Sequence, residues 1–222
     1  MDSLVRFLFY IFSAIFVILF FWFANEATSL TKEDGVIEWI SAFFYIGSAI
    51  GAMLFFSKSF YKWLSVFWII FSIFCFGEET SWLQRQLGYS VPWVEKNNLQ
   101  QEFNFHNHKI FGSGKALDKQ GNPEFDNSLF FSAQMIFQAG LLIYFLMIPL
   151  LRNKIIMIRR FFPKIPSGFL FVFWFLVMLS FLLSYQSEQM IRNGLAETRE
   201  CLYAFFIMAH QPFFIFSNIA EE

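Results

Sequence analysis

The sequence predicts an all-α fold: a polytopic membrane helical bundle of about six transmembrane helices, with one further interfacial or re-entrant helix. Three observations predict it. The 222 residues are 57% hydrophobic, with 36 phenylalanines and only 15% charged side chains, too little polar surface for a water-soluble domain of this length. Six apolar runs, near residues 4–24, 36–56, 63–83, 128–151, 167–187 and 198–217, are each long enough to cross about 30 Å of hydrocarbon at roughly 1.5 Å per residue. The basic residues of the short connections gather in two of them, the pattern of cytoplasmic loops. A single integral membrane domain over residues 1–222 follows.

The first run, LVRFLFYIFSAIFVILFFWFA, is longer than the apolar part of a signal peptide. It has no small-residue cleavage site before Asn25, so it reads as a retained helix. Before the second run, TKED supplies Glu33 and Asp34, acids placed where they complement the positive end of a helix dipole; Glu38 lies a turn deeper. Lys58 and Lys62 occupy the link to the third run, which ends in FGEETSW.

The connection over 84–127 is the longest. Its SVPWVEKNNLQQEFNFHNHKIF portion carries Val94, Leu99 and Phe103 and reads as a short helix, near 93–110, at the interface or dipping into the bundle. The following GSGKALDKQGNPEFDNS is turn-rich, and its GSGK lacks the spacing of a phosphate loop. Arg152, Lys154, Arg159, Arg160 and Lys164 lie between the fourth and fifth runs. Glu188 closes the fifth run, with Arg192 at i+4; Glu197 and Glu200 open the sixth, which contains His210.

This charge pattern makes the protein a multi-pass component of the cell membrane with both termini cytoplasmic. All the acids except Asp2, Glu221 and Glu222 then fall on the non-cytoplasmic side or in the outer ends of helices. Acids contribute little to orientation, so their clustering is independent of the topology. Cys75 and Cys201 are the only cysteines, which points to buried thiols rather than a disulfide framework. EWISAFFYI and ECLYAFFIM share Glu, Ala-Phe-Phe and their spacing, by duplication or by convergence in a phenylalanine-rich chain.

Glu78 and Glu79 pose the chemical question. They sit at a helix C-terminus, where the dipole disfavours anions, and an unpaired intramembrane charge costs on the order of 2.5–3.5 kcal/mol. An ion pair with Arg85, a metal, a bound cation or a protonated carboxyl would each compensate. In QEFNFHNH, Glu102 and His106 are four apart and share a face if the segment is helical, a spacing used by two ligands of one metal. His108 is a third candidate. Carboxylate with imidazole suits a divalent Zn, Fe or Mn ion, although HExxH is absent. The same side chains would also serve to hydrogen-bond a buried loop onto the bundle.

The stretches GEETSWLQRQLGYSVPWVEKNNLQQEFNFHN, EDGVIEW and ETRE resemble a family of small, uncharacterised bacterial polytopic membrane proteins with the pattern GEExSWxQ, then NxQxExNxHN. The matching positions are Gly77, Glu78, Glu79, Ser81, Trp82, Gln84, Asn98, Gln100, Glu102, Asn104, His106 and Asn107. The motif covers about a fifth of the chain, and the resemblance implies no activity. A looser similarity is to alkaline ceramidase-like intramembrane hydrolases; this chain lacks their paired C-terminal histidines and offers His210 alone.

The expectation is therefore a polar pocket on the non-cytoplasmic side. Glu78 and Glu79 would be catalytic. Glu38, Trp82, Gln84, Arg85, Asn98, Asn104, Glu188 and Glu200 would line the pocket, and Glu102, His106 and His108 would hold a metal. A metal-assisted hydrolase or transferase acting on a lipid or lipid-linked substrate fits that location. A cation channel or transporter with an acidic site, and a non-catalytic subunit of a membrane complex, fit it too. The partners implied are the bilayer, such a lipid and other membrane subunits; nothing points to nucleic acid. The topology has a direct check. An impermeant thiol reagent applied outside should label a cysteine introduced at Gly121 and miss one at Lys154, and the reverse pattern would overturn the orientation.

Overall fold

The computed structural model describes residues 3–25, 35–98, 101–106, 108, 132–186 and 189–215. Their regular structure is helical: α1 Ser3–Asn25, α2 Val36–Leu54, α3 Lys62–Glu79, α4 Gln84–Leu87, α5 Pro92–Asn97, α6 Ala133–Leu142, α7 Ile148–Arg152, α8 Ile156–Phe161, α9 Ser167–Gln186, α10 Gln189–Ala209 and α11 Gln211–Ile215. Among the described residues, extended backbone pairs only in an isolated bridge between Asn98 and His108. Among the described residues, three helices are long and apolar enough to cross a membrane: Val36–Leu54, Ala133–Arg152 and Ser167–Tyr185. The pair Lys62–Glu79 and Ser81–Leu87, bent by 70°, makes a fourth if it is one span. Phe9–Trp22 is a shorter apolar helix, and α10 carries Arg192, Glu197, Arg199 and Glu200. Phe43, Ile70, Phe171 and Leu182 are among many large apolar side chains on the outer surface, more than a water-facing bundle leaves exposed.

At the centre, α2 packs on both α3 and α10. Small residues make this possible: Ser41, Ala42, Ser48, Ala49 and Ala52 form most of the buried face of α2, beside Ile37 and Tyr45, and small side chains let membrane helices approach closely. The resemblance between the Glu38 and Glu200 stretches acquires a packing context here. The two helices run side by side in the same direction, with Gly51 near Gln211 and Gly47 near Met208, and both Ala42 and Ala204 are buried. Around this trio the phenylalanines form an aromatic core. Phe9, Phe145, Phe169, Phe173 and Phe206 meet edge-on, tilted or stacked at ring separations of 4.9–6.2 Å, the spacing aromatic pairs favour.

Helix ends differ from the sequence expectation for identifiable reasons. The third run stops at Glu79 instead of continuing to 83. Ser81, Trp82 and Leu83 all have positive φ, at 47°, 53° and 61°, a left-handed run that non-glycine residues rarely adopt. Packing enforces it. The Trp82 indole lies over Gly77, where an added Cβ would come within 2.5 Å of the ring, and the Tyr89 hydroxyl donates to the Trp82 carbonyl at 2.9 Å. The expected helix near 93–110 is confined to α5, and 101–106 is irregular. The sixth run begins earlier, at Gln189, and breaks at His210, just before Pro212, whose ring cannot continue the hydrogen-bond ladder. Residues 128–131, 187 and 216–217 of the expected spans lie outside the described residues.

A π-helical turn, Ile143–Met147, joins α6 to α7. Pro149 has no N–H to give the Phe145 carbonyl four residues back. The Trp174 indole on α9 supplies one instead, donating to that carbonyl at 3.2 Å. Replacing Trp174 by Phe keeps the aromatic body and leaves a buried acceptor bare, which costs about 1–3 kcal/mol. The variant should therefore melt lower than wild type in detergent. An unchanged melting temperature would show that this hydrogen bond does not hold α9 to the π-turn.

Candidate functional site

The end of the bundle at Glu79 contains two arrangements of opposite character, one saturated with hydrogen bonds and one poor in them. The saturated one is built on Glu78. Its carboxylate accepts from Trp82 Nε1 at 3.1 Å, from the Phe105 and His106 backbone N–H groups at 2.7 and 2.9 Å, and lies 3.3 Å from His106 Nδ1. Glu102 is held in the same way. Ser81 Oγ and Asn104 Nδ2 donate to it at 2.6 and 3.0 Å, and Arg85 forms an ion pair with it.

Side-chain amides complete the knot. Asn98 Nδ2 donates to the Asn104 carbonyl and Oδ1 at 2.9 and 2.8 Å. Gln84 accepts from the Phe103 N–H at 2.6 Å and donates to Glu95 at 2.7 Å. Asn98 and Asn104 are buried, so these bonds replace water for groups that need partners. Trp82, Gln84, Arg85, Asn98 and Asn104 thus belong to one structural cluster that docks 101–106 onto the end of α3.

The second arrangement surrounds Glu79. A residue's turn of the helix separates its side chain from that of Glu78 by about 100°, and it points toward other acids. The carboxylates that repel it are, in decreasing order, Glu200, Glu197, Glu38 and Glu78. Among the described residues Glu79 makes no hydrogen bond or ion pair. Glu200 accepts from Gln134 Nε2 at 3.0 Å. Glu188, Glu33 and Asp34 lie outside the described residues.

Glu102 and His106 do not share a helical face, because the backbone between them is not helical. Glu102 turns to Arg85 and Ser81, and His106 turns to Glu78. His108 sits beyond, in the bridge to Asn98. Among the described residues, no three His, Cys, Asp or Glu side chains come together as a metal cage. His106 keeps 45% of its side-chain surface open and faces the acids. Burial opposes its protonation, but the hydrogen bond with Glu78 and the attraction of Glu200, Glu78 and Glu38 outweigh it, and its pKa is raised above the ordinary imidazole value.

Below Glu79 a seam of buried polar side chains continues along α3, α2 and the α10–α11 break. Cys75, Ser72, Trp68 and Ser65 follow Glu79 on one face of α3, at intervals of three and four residues. Ser72 donates to Ser48 at 3.0 Å, and Gln211 Nε2 donates to the Ser48 carbonyl at 2.7 Å. Cys75 lies beside Tyr45, and Cys201 beside Ser41. Trp68, Tyr144 and His210 meet with ring centroids 4.6–5.4 Å apart. Along the sequence Ser65 and Ser72 are sparse polar residues within an otherwise apolar run. Their three-to-four spacing with Trp68, Cys75 and Glu79 was the signal that they share a face. Gln134 is another such sparse polar residue of the sequence; Tyr45 and Arg199 were missed.

The chain matches no protein-family model, no curated protein and no solved structure.

The geometry assigns Glu78 a docking role with a measurable signature. Hydrogen bonds to a charged acceptor contribute about 1.5–3 kcal/mol, so Glu78→Gln should raise hydrogen exchange across 101–106 by roughly tenfold or more, corrected for intrinsic rates. The raised His106 pKa fixes the sign of the pH effect: its share of the docking is complete at low pH and fades as pH rises through the folded-state value. His106→Gln should remove that pH dependence and keep the backbone hydrogen bonds. Exchange of 101–106 that is unaffected by Glu78→Gln would contradict the docking role.

Proposed function

We propose that the protein is a six-span membrane protein with both termini cytoplasmic, and that the carboxylate pocket around Glu79 is a cation-binding site on its non-cytoplasmic side, the entry to a cation channel or transporter. The observation that carries this reading is Glu79 itself. It stands among four other glutamates, at a helix C-terminus whose dipole adds to the repulsion, without a hydrogen bond among the described residues. His106 and Arg199 offset part of such a cluster, and protons or a cation arriving from water would supply the rest. Two carboxylates with water suit a partly hydrated ion better than a closed protein cage does.

The seam beneath the pocket supports movement as well as binding. Its Ser, Tyr, Cys, His and Gln side chains run from the carboxylates past the middle of the bundle, and intramembrane polar chains of this kind characterise ion and proton pathways. Interhelical hydrogen bonding alone accounts for the serines and Gln211, but not for the acids above them. Metal-assisted hydrolysis is the weaker reading, because it would draw on Glu78 and Glu102, and both carboxylates are committed to the loop.

Glu79→Gln separates a cation site from a merely buried charge. Without added cation the variant should be folded and melt no lower than wild type, since replacing a repelled carboxylate relieves repulsion. A saturating cation, tried as Mn²⁺, Zn²⁺, Ca²⁺ and Na⁺ in turn, should stabilise wild type by about 2.7 kcal/mol at 100 times its Kd and leave the variant unmoved. Cation or proton flux into proteoliposomes should fall in parallel. Equal stabilisation and equal flux in both proteins would overturn the reading.

A further inference from the structure

The start of α3, at the end of that helix opposite Glu79, belongs to a surface of the contrary charge. Two connections meet there. One is the α2–α3 turn; the other runs from Arg152 to Ser167 and joins the span-length helices Ala133–Arg152 and Ser167–Tyr185. The Trp63 and Phe162 rings pack edge to face between them at 5.2 Å. The sequence has no acid from 39 to 77 or from 127 to 187, so nothing within either connection offsets its lysines and arginines.

Two of these cations shape the connections. Lys62 Nζ donates to the Phe56 carbonyl and, at 2.7 Å, to the Ser57 carbonyl. Arg152 Nε donates to the Phe162 carbonyl at 3.1 Å. Lys154, Arg159, Arg160 and Lys164 are exposed, and among the described residues they make no ion pair or side-chain hydrogen bond. The surface that carries the two arginines is not otherwise polar. On α8, Ile156 and Met157 are 75% and 69% exposed beside them, while Ile158 is half-buried. Such a face suits neither bulk water nor the hydrocarbon interior. It suits the boundary between them, where apolar side chains enter the acyl region and arginine stems lie over them with the guanidinium groups among headgroups. A short helix between the adjacent ends of two spans is held at that level.

We propose that this face binds anionic phospholipid. α8 lies in the interface with Ile156 and Met157 among the first acyl carbons, and Lys154, Arg159, Arg160 and Lys164 take the headgroup phosphates. Charge complementarity selects this occupant. Unopposed cations repel a second copy of the same face, gain little from a headgroup of zero net charge, and are attracted by each anionic one. The exposed isoleucine and methionine select a lipid over a soluble phosphate, which would leave them in water. The site is separate from the carboxylate pocket. It depends neither on that pocket binding a cation nor on which leaflet the two connections face.

Native mass spectrometry of the full chain in mild detergent tests the proposal, with phosphatidylglycerol and phosphatidylcholine of the same chains offered in equal amounts. Wild type should retain phosphatidylglycerol about tenfold or more over phosphatidylcholine. Arg159→Gln combined with Arg160→Gln should bring that ratio to about threefold or less. Ile156→Ser combined with Met157→Ser should lower retention of both lipids and keep the preference. These four side chains are exposed, so both variants should melt as wild type does. Should either fail to fold, salt decides on wild type alone, since raising it from about 0.1 to 1 M screens headgroup charge and should erase the preference. Equal retention of the two lipids by wild type, or a preference that survives both the glutamine substitutions and high salt, would overturn the proposal. Undiminished retention in the serine variant would do so too. Displacement of phosphatidylglycerol by glycerol phosphate, which has the charge without the chains, would make this a soluble-phosphate site instead. A dimer that the glutamine variant loses would make it a contact between copies.

Discussion

The polar end of this bundle depends on one carboxylate. Glu78 gathers the Trp82 indole, two consecutive backbone N–H groups and the His106 ring, and so joins the last turn of α3 to a loop that has no helix of its own. The left-handed run at 81–83, with Trp82 folded over Gly77, brings Ser81 and Gln84 against the same loop. Backbone strain at three successive residues persists only where the surroundings over-determine it. Here the surroundings are the Glu78 and Glu102 hydrogen bonds, and the strained turn exists because both carboxylates are satisfied.

That satisfaction is what makes the neighbouring arrangement chemically distinct. Adjacent residues on a helix diverge by about 100°. The pair at the end of α3 therefore presents one fully bonded carboxylate to the loop and, toward α2 and α10, one with no hydrogen bond among the described residues. The loop, once docked, also places the His106 ring where it faces Glu38, Glu78 and Glu200. Structure and chemistry are divided between two side chains that the sequence writes side by side.

Much of this was legible in the sequence, and the exceptions have physical causes. The helical class, the apolar runs and the convergence of acids at one end follow from hydropathy and charge, because hydrocarbon tolerates few alternatives. Which of Glu78 and Glu79 was structural could not be read, since that depends on a loop that returns 27 and 28 residues later. The pairing of Glu102 with His106 rested on a helical period that 101–106 does not adopt; Asn98, Asn104 and Gln84 offer that backbone a different set of partners. The start of α10 was placed late because an apolar-run criterion sees only the part of a helix that is greasy, and α10 begins with QMIRNGLAETRE. Arg199 escaped notice for the same reason, as one charge within a polar stretch.

The hydrogen bond from Gln211 to Ser48 joins residues 163 apart in the chain, and that separation sets an order of assembly. Synthesis and membrane insertion run from the N-terminus, and local contacts form before distant ones. The α2–α3 hairpin and the loop that Glu78 gathers are therefore complete while α10 is still to be made. Until α10 arrives, Glu38 and Glu78 alone crowd Glu79, and Ser48 lacks its last partner. The electrostatic cost of the finished protein falls on its final step, the arrival of a helix that brings Glu197 and Glu200 against carboxylates already in place. Assembly is thus exposed to pH and cations at the moment of closure, in addition to the pH dependence that His106 gives the docked loop.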